Sequence, residues 1–397
     1  MSEHPKLFLK SKKDQPLRRF HPWVFSGAIK DVEGESKNGE IVAIHANKGG
    51  FLGLAHYSEG TTIAARVISF EDIEIDDAFW KEKISNAVSL RKNLGFIGND
   101  HNNIFRLIHA EGDHLPGLII DFYNGVAVMQ CHSLGMFNHR QLICDALQSE
   151  LGEHLTAVYD KSAEFMKKNH DMQEENTYLY GSCETPHKAT ENGNIFEIDW
   201  VTGQKTGFFI DQRDNRDLLG LYSKGKKVLN TFSYSGGFSV YALQREAELV
   251  HSLDSSQKAL ILAEGNVKVN KLDESKHKCI QSDTLDYIKE MDEDYDIIIL
   301  DPPAYAKHQR VRHKAIQGYK RLNSYAIKHI KPGGLIFTFS CSQAVDKSLF
   351  THTITAAAIA EGRKVRILHQ LHQPADHPVN IYHPESEYLK GLVIQVD

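Results

Sequence analysis

The sequence predicts an α/β protein in three parts, the last of which is a parallel sheet with helices on both faces. Residues 1–72 contain short apolar runs separated by glycine and polar turns, which indicates a small β barrel or sandwich. Residues 73–190 mix helical and strand periodicity and predict an α+β module. In residues 191–397, strands and helices alternate from about residue 195, which is typical of a doubly wound sheet.

The first two parts are predicted from periodicity and turn signals. In the β-rich part, strands are expected at residues 41–44 and 63–68, with a hairpin turn at 47–50. Residues 161–190 are polar with weak periodicity, and they are predicted to be a connector. The middle part is expected to contain a helix over 76–93, strands at 105–108, 118–121, 126–130 and 156–160, and a second helix over about 137–150.

The sequence of the third part predicts seven strands. One helix is expected to start at Gly237. A second helix is expected after the second strand, with Ser255 as its N-terminal cap. The strands are expected at residues 226–232, 249–253, 278–281, 296–300, 335–339, 364–368 and 392–396.

The composition and the spacing of motifs argue against a membrane-spanning protein, a disulfide-linked protein and a metal site. Hydrophobic residues make up 41% and charged residues 25% of the 397 residues, as in ordinary globular proteins. No apolar run is long enough to span a membrane and the N-terminus has no apolar signal region, so a cytoplasmic location is expected. The five cysteines form no close pair, which argues against disulfides and zinc. Four C-terminal histidines match no standard ligand spacing, so no metal is predicted: His369, His372, His377 and His383.

The strand ends predict an adenosine site, because ligands of open α/β sheets bind outside the carboxyl ends of the strands. Gly236-Gly237 forms a turn without the GxGxxG pattern, so no pyrophosphate cradle is indicated. Asp254 is placed to accept hydrogen bonds from ribose hydroxyls, and Asp283 to meet the adenine amino group. Adenosine without phosphates points to S-adenosylmethionine. The alternative is a simple tight turn followed by a helix-capping aspartate.

Two further strand ends carry candidate chemistry. Asp301-Pro302-Pro303 is a stiff loop, followed by Ala304 where amino-methyltransferases carry an aromatic residue, and then by Tyr305. Cys341 follows the next strand. A thiolate there could add to C6 of a cytosine, so that C5 attacks a methyl donor, with Asp301 as an acid near N3. The alternative for Cys341 is a small buried hydrophobic residue.

Positive charge follows the Asp-Pro-Pro loop. Residues 302–345 contain eight Lys or Arg residues and no acidic residue. Such a block indicates either a solvated loop or contacts with phosphates, and its place beside the reaction centre favours phosphates of an RNA strand. The candidate RNA-binding residues are Lys307, Arg310, Arg312, Lys314, Lys320 and Arg321.

Seven segments together resemble one family. They are similar to the bacterial 23S ribosomal RNA 5-methylcytosine methyltransferases, which have a PUA domain, a linker and a methyltransferase domain. The resemblance covers nearly the whole chain and keeps the order of the motifs. The segments are residues 18–27, 205–216, 230–238, 300–303, 339–342, 377–379 and 388–391.

The resemblance implies a PUA-like β barrel over 1–72, an α+β middle domain over 73–190, and a Rossmann-like class I methyltransferase sheet over 191–397. It implies that Cys341 is the nucleophile, that the substrate is 23S ribosomal RNA, naked or in early assembly, and that no membrane is involved; a homodimer is left open. The residues expected to hold S-adenosylmethionine are Asp211, Gln212, Arg213, Phe232, Tyr234, Gly236, Gly237, Asp254, Asp283 and Asp301.

Two alternatives stay open. A sister group with similar glycine and Asp-Pro-Pro motifs methylates guanine N7 and needs no cysteine, so Cys341 is what favours cytosine. Ala304, where relatives often carry Lys, leaves the nucleotide undecided. The second alternative is an RNA-binding protein whose catalytic domain is inactive.

Overall fold

A computed structural model describes residues 4–306 and 309–397 and divides the chain into two compact units. The first unit consists of the residues up to Thr190 together with Ile198–Phe208 and Ala375–Ser386. The second consists of Glu191–Glu197, Phe209–Pro374 and Glu387–Asp397. The three-part boundaries at residues 72 and 190 stay a prediction.

The first unit begins with a six-stranded sheet in the order β2-β6-β5-β4-β1-β3. In its first and fourth strands every second position is buried, so that Leu7, Val42 and Ile44 contribute to a core on one side. The expected hairpin joins β4 to β5. The elements are β1 (Lys6–Leu9), α1 (Gln15–Arg18), β2 (Trp23–Phe25), β3 (Ile29–Glu33), β4 (Ile41–His45), β5 (Phe51–Tyr57) and β6 (Ile63–Ser69).

A second sheet of the first unit has the order β11-β10-β9-β8-β7. The helix of residues 77–93, α2, packs on it through Trp80, Ile84 and Val88, which are four residues apart and therefore share one face. The elements are α2 (Asp77–Asn93), β7 (Ile104–His109), β8 (Leu118–Tyr123), β9 (Val126–Cys131), α3 (Leu134–Asn138), α4 (Arg140–Leu151), β10 (Ala157–Asp160), α5 (Ala163–His170) and β11 (Thr177–Tyr180).

The interpretation of residues 161–190 as a connector was wrong. This segment contains α5 and β11, and β11 pairs antiparallel with β10. The sequence signal is weak because α5 buries only Met166 and β11 has no fully buried residue. Pairing with an existing strand supplies the stability that the local sequence lacks.

The second unit contains the predicted seven-stranded sheet, in the order β16-β15-β14-β17-β18-β20-β19. Within the residues that the structure describes, no helix is long and apolar enough to cross a membrane. Two short strands come first in the chain: β12 (His187–Glu191), which belongs to the first unit up to Thr190, and β13 (Asn194–Ile198), which belongs to the second unit up to Glu197. The remaining elements are α6 (Arg213–Tyr222), β14 (Lys227–Thr231), α7 (Gly237–Gln244), β15 (Leu249–Asp254), α8 (Gln257–Val269), β16 (His277–Gln281), α9 (Thr284–Lys289), β17 (Ile297–Leu300), α10 (Arg312–His329), β18 (Gly334–Ser340), α11 (Lys347–Glu361), β19 (Val365–His372) and β20 (Lys390–Val396).

The register of the sheet brings the strand ends to one edge. From β14 to β18 the neighbouring strands run parallel, whereas β20 is antiparallel to both β18 and β19. Thr231 is level with Leu253 on one side and with Leu300 on the other, and Leu300 is level with Thr338. The loops that follow β14, β15, β17 and β18 therefore leave the sheet at the same edge, which is where such folds bind ligands.

Candidate cofactor and catalytic site

The loop after β14 has an unusual backbone. Phe232 (φ 52°), Tyr234 (φ 46°) and Gly236 (φ 74°) all adopt left-handed conformations. For the two non-glycine residues this costs about 1–3 kcal/mol each, and such strain concentrates at binding sites. The loop is held by Asp254, whose Oδ2 accepts a hydrogen bond from the Tyr234 N–H at 3.0 Å. The sequence predicts a strand that extends to Phe232, whereas in the structure the chain turns sharply at that residue.

The two glycines of this loop have different roles. A Cβ on Gly236 would lie 2.8 Å from the Ala263 Cβ, so Gly236 permits both the turn and the close approach of α7 to α8. A Cβ on Gly237 would lie 3.1 Å from Cδ of Arg216. Gly237 therefore makes room for the Arg216 side chain.

Arg216 of α6 is part of a buried ionic group that lies against the start of α7. Its Nε and Nη2 donate to the two carboxylate oxygens of Glu191 at 2.8 and 2.7 Å, and the Tyr241 hydroxyl donates to Glu191 Oε1 at 3.0 Å. Burial opposes the charge of Arg216, but the attraction of Glu191 outweighs it and raises the pKa of the guanidinium. Arg216 Nη1 also donates to the Phe209 carbonyl at 3.0 Å, which fixes the segment ahead of α6.

Asp254 and Asp283 both stand at helix starts on the carboxyl edge of the sheet. Besides Tyr234, Asp254 accepts from the Ser256 N–H through Oδ1 at 2.9 Å. Ser256, rather than the expected Ser255, caps α8. Asp283 caps α9 by accepting two backbone N–H groups, at 2.8 and 3.2 Å, on Oδ1. A carboxylate has about four lone-pair sites, so both residues keep acceptor capacity for a ligand.

The predicted cofactor residues Asp211, Gln212 and Arg213 lie at the start of α6. Asp211 is 9% exposed and Arg213 is 3% exposed, so neither is a surface residue. Asp211 Oδ2 accepts from the Tyr388 hydroxyl at 2.7 Å, and Gln212 Oε1 accepts from the Asn215 amide at 2.7 Å. These bonds orient the side chains of Asp211 and Gln212.

Ser342 fixes the chain directly after Cys341. Its hydroxyl oxygen lies 2.9 Å from the Tyr319 hydroxyl and accepts from the Ala306 N–H at 3.2 Å. Its carbonyl accepts from Lys390 Nζ at 2.8 Å. Cys341 itself is partly exposed. The thiol-bearing turn is thus held from α10, from the loop after β17 and from β20.

Tyr305 follows the Asp-Pro-Pro loop and is not among the site residues that the sequence predicts. Its ring packs on Tyr319 at a centroid distance of 4.8 Å, and Gly318 leaves space for it, since a Cβ there would lie 3.0 Å from the ring. Burial, together with Tyr319 and Asp283, raises the pKa of Tyr305 to about 12, against the opposing effect of Arg321. Tyr305 therefore presents a neutral aromatic ring next to the loop. An aromatic residue shortly after two prolines is the signal that could have found it.

The basic residues after the loop lie on and just before α10. Arg310, Lys314 and Arg321 are exposed and spaced by four and seven residues, so they follow one face; we call them the basic stripe. Arg312 is exposed and Lys320 is half-buried, whereas Lys307 lies outside the described residues. The opposite face of α10 buries Ala315, Tyr319, Leu322 and Ala326 in the core.

In the first unit, His21, His383 and Glu385 bring three potential metal-ligand atoms within 4.8 Å of one another. His21 Nδ1 accepts a hydrogen bond from the Trp23 N–H at 3.2 Å. A neutral His21 therefore carries its proton on Nε2, which faces Glu385 at 3.5 Å. A protonated Nε2 cannot bind a metal, so the geometry favours a hydrogen-bonded group.

Comparisons with known proteins agree with this architecture. Residues 7–70 match the model of a PUA-like domain, and residues 106–387 match the model of an S-adenosylmethionine-dependent methyltransferase. The chain is 37% identical to ribosomal RNA large subunit methyltransferase I of Alteromonas mediterranea, covering 98% of each chain. It is 38% identical to the protein of the same name from Pseudoalteromonas translucida, covering 98% of this chain and 99% of the relative.

A solved structure extends the comparison to the whole fold. The structure of the methyltransferase SMU.776 complexed with SAH has a TM-score of 0.85 and 25% identity, covering 98% of this chain and all of the other. The predicted PUA-like domain, the Rossmann-like fold and S-adenosylmethionine as cofactor are thereby confirmed. The chain belongs to the S-adenosylmethionine-dependent methyltransferase family and carries a PUA-like domain at its N-terminal end.

Proposed function

We propose that this protein transfers a methyl group from S-adenosylmethionine to C5 of a cytosine in 23S ribosomal RNA, through a covalent adduct between Cys341 and C6. Its relatives are named as methyltransferases of large-subunit ribosomal RNA, which supports this RNA as the substrate. One observation carries the choice of cytosine: the partly exposed Cys341 thiol directly follows β18, and Asp301 directly follows β17, the neighbouring strand in the sheet. Guanine N7 needs no such thiol.

The surroundings of the other four cysteines disfavour a nucleophilic role. Burial raises the pKa of the Cys131 thiol, that of Cys144 to about 11 and that of Cys279 to about 12. Burial also raises the pKa of Cys183, which lies in the first unit. Thiols with raised pKa are poor nucleophiles at neutral pH, because the thiolate is the reactive form.

The proposed reaction conserves atoms and electrons at each step. The Cys341 thiolate adds to C6 of the cytosine, and the electron pair of the C5–C6 double bond moves to C5 and the ring. C5 would then form a bond to the methyl carbon of S-adenosylmethionine, while the carbon–sulfur bond breaks, its electron pair stays on sulfur, and S-adenosylhomocysteine is released. Loss of the C5 proton to a base and departure of the thiolate from C6 restore the double bond. Asp301 is proposed to donate a hydrogen bond or proton near N3 and the exocyclic amine, which stabilises the adduct.

The cofactor fits the edge of the sheet that carries these loops. The left-handed turn at residues 232–236 brings backbone close to a ligand, and Asp254 sits beside it with acceptor capacity for two ribose hydroxyls. We assign Asp283 to the adenine and Asp211, Gln212 and Arg213 to the methionine end. Phe232, Tyr234, Gly236, Gly237 and Asp301 complete the proposed site.

The test is nucleoside mass spectrometry of 23S ribosomal RNA from cells with and without the gene. We expect 5-methylcytidine at one position to disappear in the deletion strain and to return when the wild-type gene is supplied. Loss of 7-methylguanosine with unchanged 5-methylcytidine would instead establish the sister activity. Unchanged RNA in both strains, together with no cofactor binding by calorimetry, would indicate an inactive domain.

Replacing Asp254 by Ala should weaken cofactor binding at least about tenfold, since two charge-assisted or polar bonds to ribose are lost together with the bond that holds the Tyr234 backbone. Isothermal titration calorimetry with S-adenosylmethionine measures the change. Asp273→Ala is the matched control, because Asp273, like Asp254, accepts a hydrogen bond from the backbone N–H two residues later, but it precedes β16, at the opposite edge of the sheet. Equal affinity of the two variants would remove Asp254 from the proposed site.

The basic stripe is proposed to contact phosphates of the substrate strand, and the PUA-like domain to hold RNA elsewhere. Changing Arg310, Lys314 and Arg321 together to Gln should lower RNA affinity. It should also reduce the slope of log affinity against log salt by about 2, since each contact with a single strand contributes about 0.7. Filter binding at several salt concentrations provides both quantities.

The control for the basic stripe removes the same number of charges from the amino edge of the sheet. Lys224, Lys268 and Lys276 are exposed there, before β14 and β16 and at the end of α8. Their change to Gln should leave the salt slope within about 0.5 of the wild-type value if the stripe makes specific contacts. A similar loss in both triple variants would mean that net charge alone drives binding.

A further inference from the structure

Lys390 is a lysine enclosed within the second unit. It is the first residue of β20, is 6% exposed, and stands opposite Ser340 in the antiparallel pairing with β18. Its Nζ donates to the carbonyl of Ser342 at 2.8 Å. The ammonium group is therefore aimed at the turn Ser340-Cys341-Ser342 that carries the proposed nucleophile.

The segment before Lys390 is anchored, so the Lys390 side chain stays directed at this turn. Gln373 Oε1 accepts hydrogen bonds from the backbone N–H groups of Tyr388 and Leu389, at 3.1 and 3.3 Å. Next to Lys390, a Cβ on Gly391 would lie 2.5 Å from the Phe339 ring, so only glycine permits β20 to approach β18 this closely. The backbone around Lys390 thus has little freedom to move its side chain away from the turn.

The electrostatic surroundings of Lys390 are unusual for a lysine. Burial lowers its pKa to about 8, whereas the negative forms of Cys341, Glu387 and Asp346 act in the opposite direction. Of these, Glu387 is exposed and lies 3.7 Å from Lys347, so water and this lysine screen its charge. Cys341 also interacts electrostatically with Tyr319 of α10, whose pKa is raised, chiefly by burial. The thiol and the ammonium group are within interaction range of each other.

We propose that Lys390 is a positioning residue for the methyl transfer, and that its buried ammonium group stabilises the thiolate form of Cys341. A cation close to a thiol favours the thiolate, and low solvent exposure strengthens that interaction. When the amine is neutral, it can also accept the thiol proton, giving an ammonium–thiolate pair with no net change in charge. The inference rests on the proposed role of Cys341 as the nucleophile.

A purely structural role explains Lys390 poorly. The pKa of Lys390 is about 8 in the folded state and about 10.4 in the unfolded state, so its charge destabilises the fold at any pH below the folded-state pKa. This cost becomes smaller as the pH rises from about 8 and disappears near 10.4. Methionine has a similar shape without the charge, so it would fill the same space without that cost and would lose only the bond to the Ser342 carbonyl. The lysine at this position is better explained by the charge that it brings to the turn.

The experiment measures the rate of iodoacetamide alkylation of Cys341 against pH, in the full-length protein without RNA, with each cysteine followed by peptide mass spectrometry. Lys390→Met should raise the midpoint for Cys341 by about one pH unit or more. Lys390→Arg, which keeps a positive charge, should stay nearer the wild-type midpoint. Cys183 and Cys279 serve as internal controls and should keep their rates. At pH 7 the thermal midpoint of the Met variant should equal or exceed the wild-type value.

Two results would overturn the inference. An unchanged Cys341 midpoint in Lys390→Met would mean that the ammonium does not act on the thiol. A Met variant with a lowered thermal midpoint and unchanged alkylation would mean that the lysine only supports the turn. Failure of the proposed function would look different, because it would appear as methylation by a protein that lacks Cys341, whatever the alkylation midpoint.

Discussion

Replacing Cys341 by Ala is expected to abolish methylation of ribosomal RNA while cofactor affinity stays within about twofold of wild type. Removing the nucleophile of a covalent mechanism typically lowers the rate by about 10⁴-fold or more. The measurement is transfer of a labelled methyl group to RNA from the deletion strain, with calorimetry for the cofactor. Cys279→Ala is the matched control, since Cys279 lies in the same sheet with a thiol that burial keeps protonated. Its activity should be retained.

A trapped adduct provides an independent check on the same step. RNA that carries 5-fluorocytosine has no C5 proton to lose, so the thiolate cannot leave after methyl transfer. The wild-type protein should therefore form a stable conjugate with such RNA, visible as a shifted band under denaturing conditions, and Cys341→Ala should form none. Full activity of the Ala variant would contradict the cysteine mechanism and favour the guanine alternative.

Replacing Arg216 by Ala is expected to lower the free energy of unfolding by about 3–5 kcal/mol, because Glu191 would be left buried without its counter-charge. Equilibrium unfolding in urea measures the change. Arg245→Ala is the control, since Arg245 makes an exposed pair with Asp217 at 3.4 Å in the same unit. Exposed pairs are worth about 0–1 kcal/mol, so that variant should unfold close to wild type.

The double variant Arg216→Met with Glu191→Leu separates the charge from the packing. It removes both members of the pair, so we expect it to recover a substantial part of the stability lost in Arg216→Ala. Cofactor affinity should still be reduced, because Arg216 holds Phe209 and lies against Gly237 in the binding loop. Equal stability of Arg216→Ala and Arg245→Ala would show that the buried pair contributes little.

The sequence is informative where local patterns have physical causes. Apolar strand segments separated by helices predict parallel strands, and a parallel sheet places its loops at one edge, so the strand order along the chain already predicts that Asp254, Asp301 and Cys341 lie together. The stiff Asp-Pro-Pro segment and the glycine turn can also be recognised in the sequence, because proline restricts and glycine widens the backbone conformations that are available. Weak elements such as α5 and β11 escape this reasoning, because their stability comes from partners elsewhere in the chain.

Side-chain partners far apart in the sequence could not be predicted. Glu191 and Arg216 are 25 residues apart and Asp211 and Tyr388 are 177 apart, and no periodicity links either pair. The role of Gly237 is another case: the sequence indicates close approach to the cofactor, whereas in the structure this position accommodates Arg216. Lys390 stands out in the sequence only as one residue of a C-terminal motif, and its approach to the turn at Cys341 depends on the pairing of β20 with β18.

By itself, the sequence determined the seven-stranded sheet, the edge at which its loops gather and the residue types available there for chemistry. These follow from hydrophobic periodicity and from the backbone limits of glycine and proline, which act within a few residues. Only the tertiary structure decided which charges are buried and what faces them, namely Glu191 opposite Arg216 and Lys390 beside the thiol turn. Burial and Coulomb interactions depend on distance in space, so they are set when distant segments pack together.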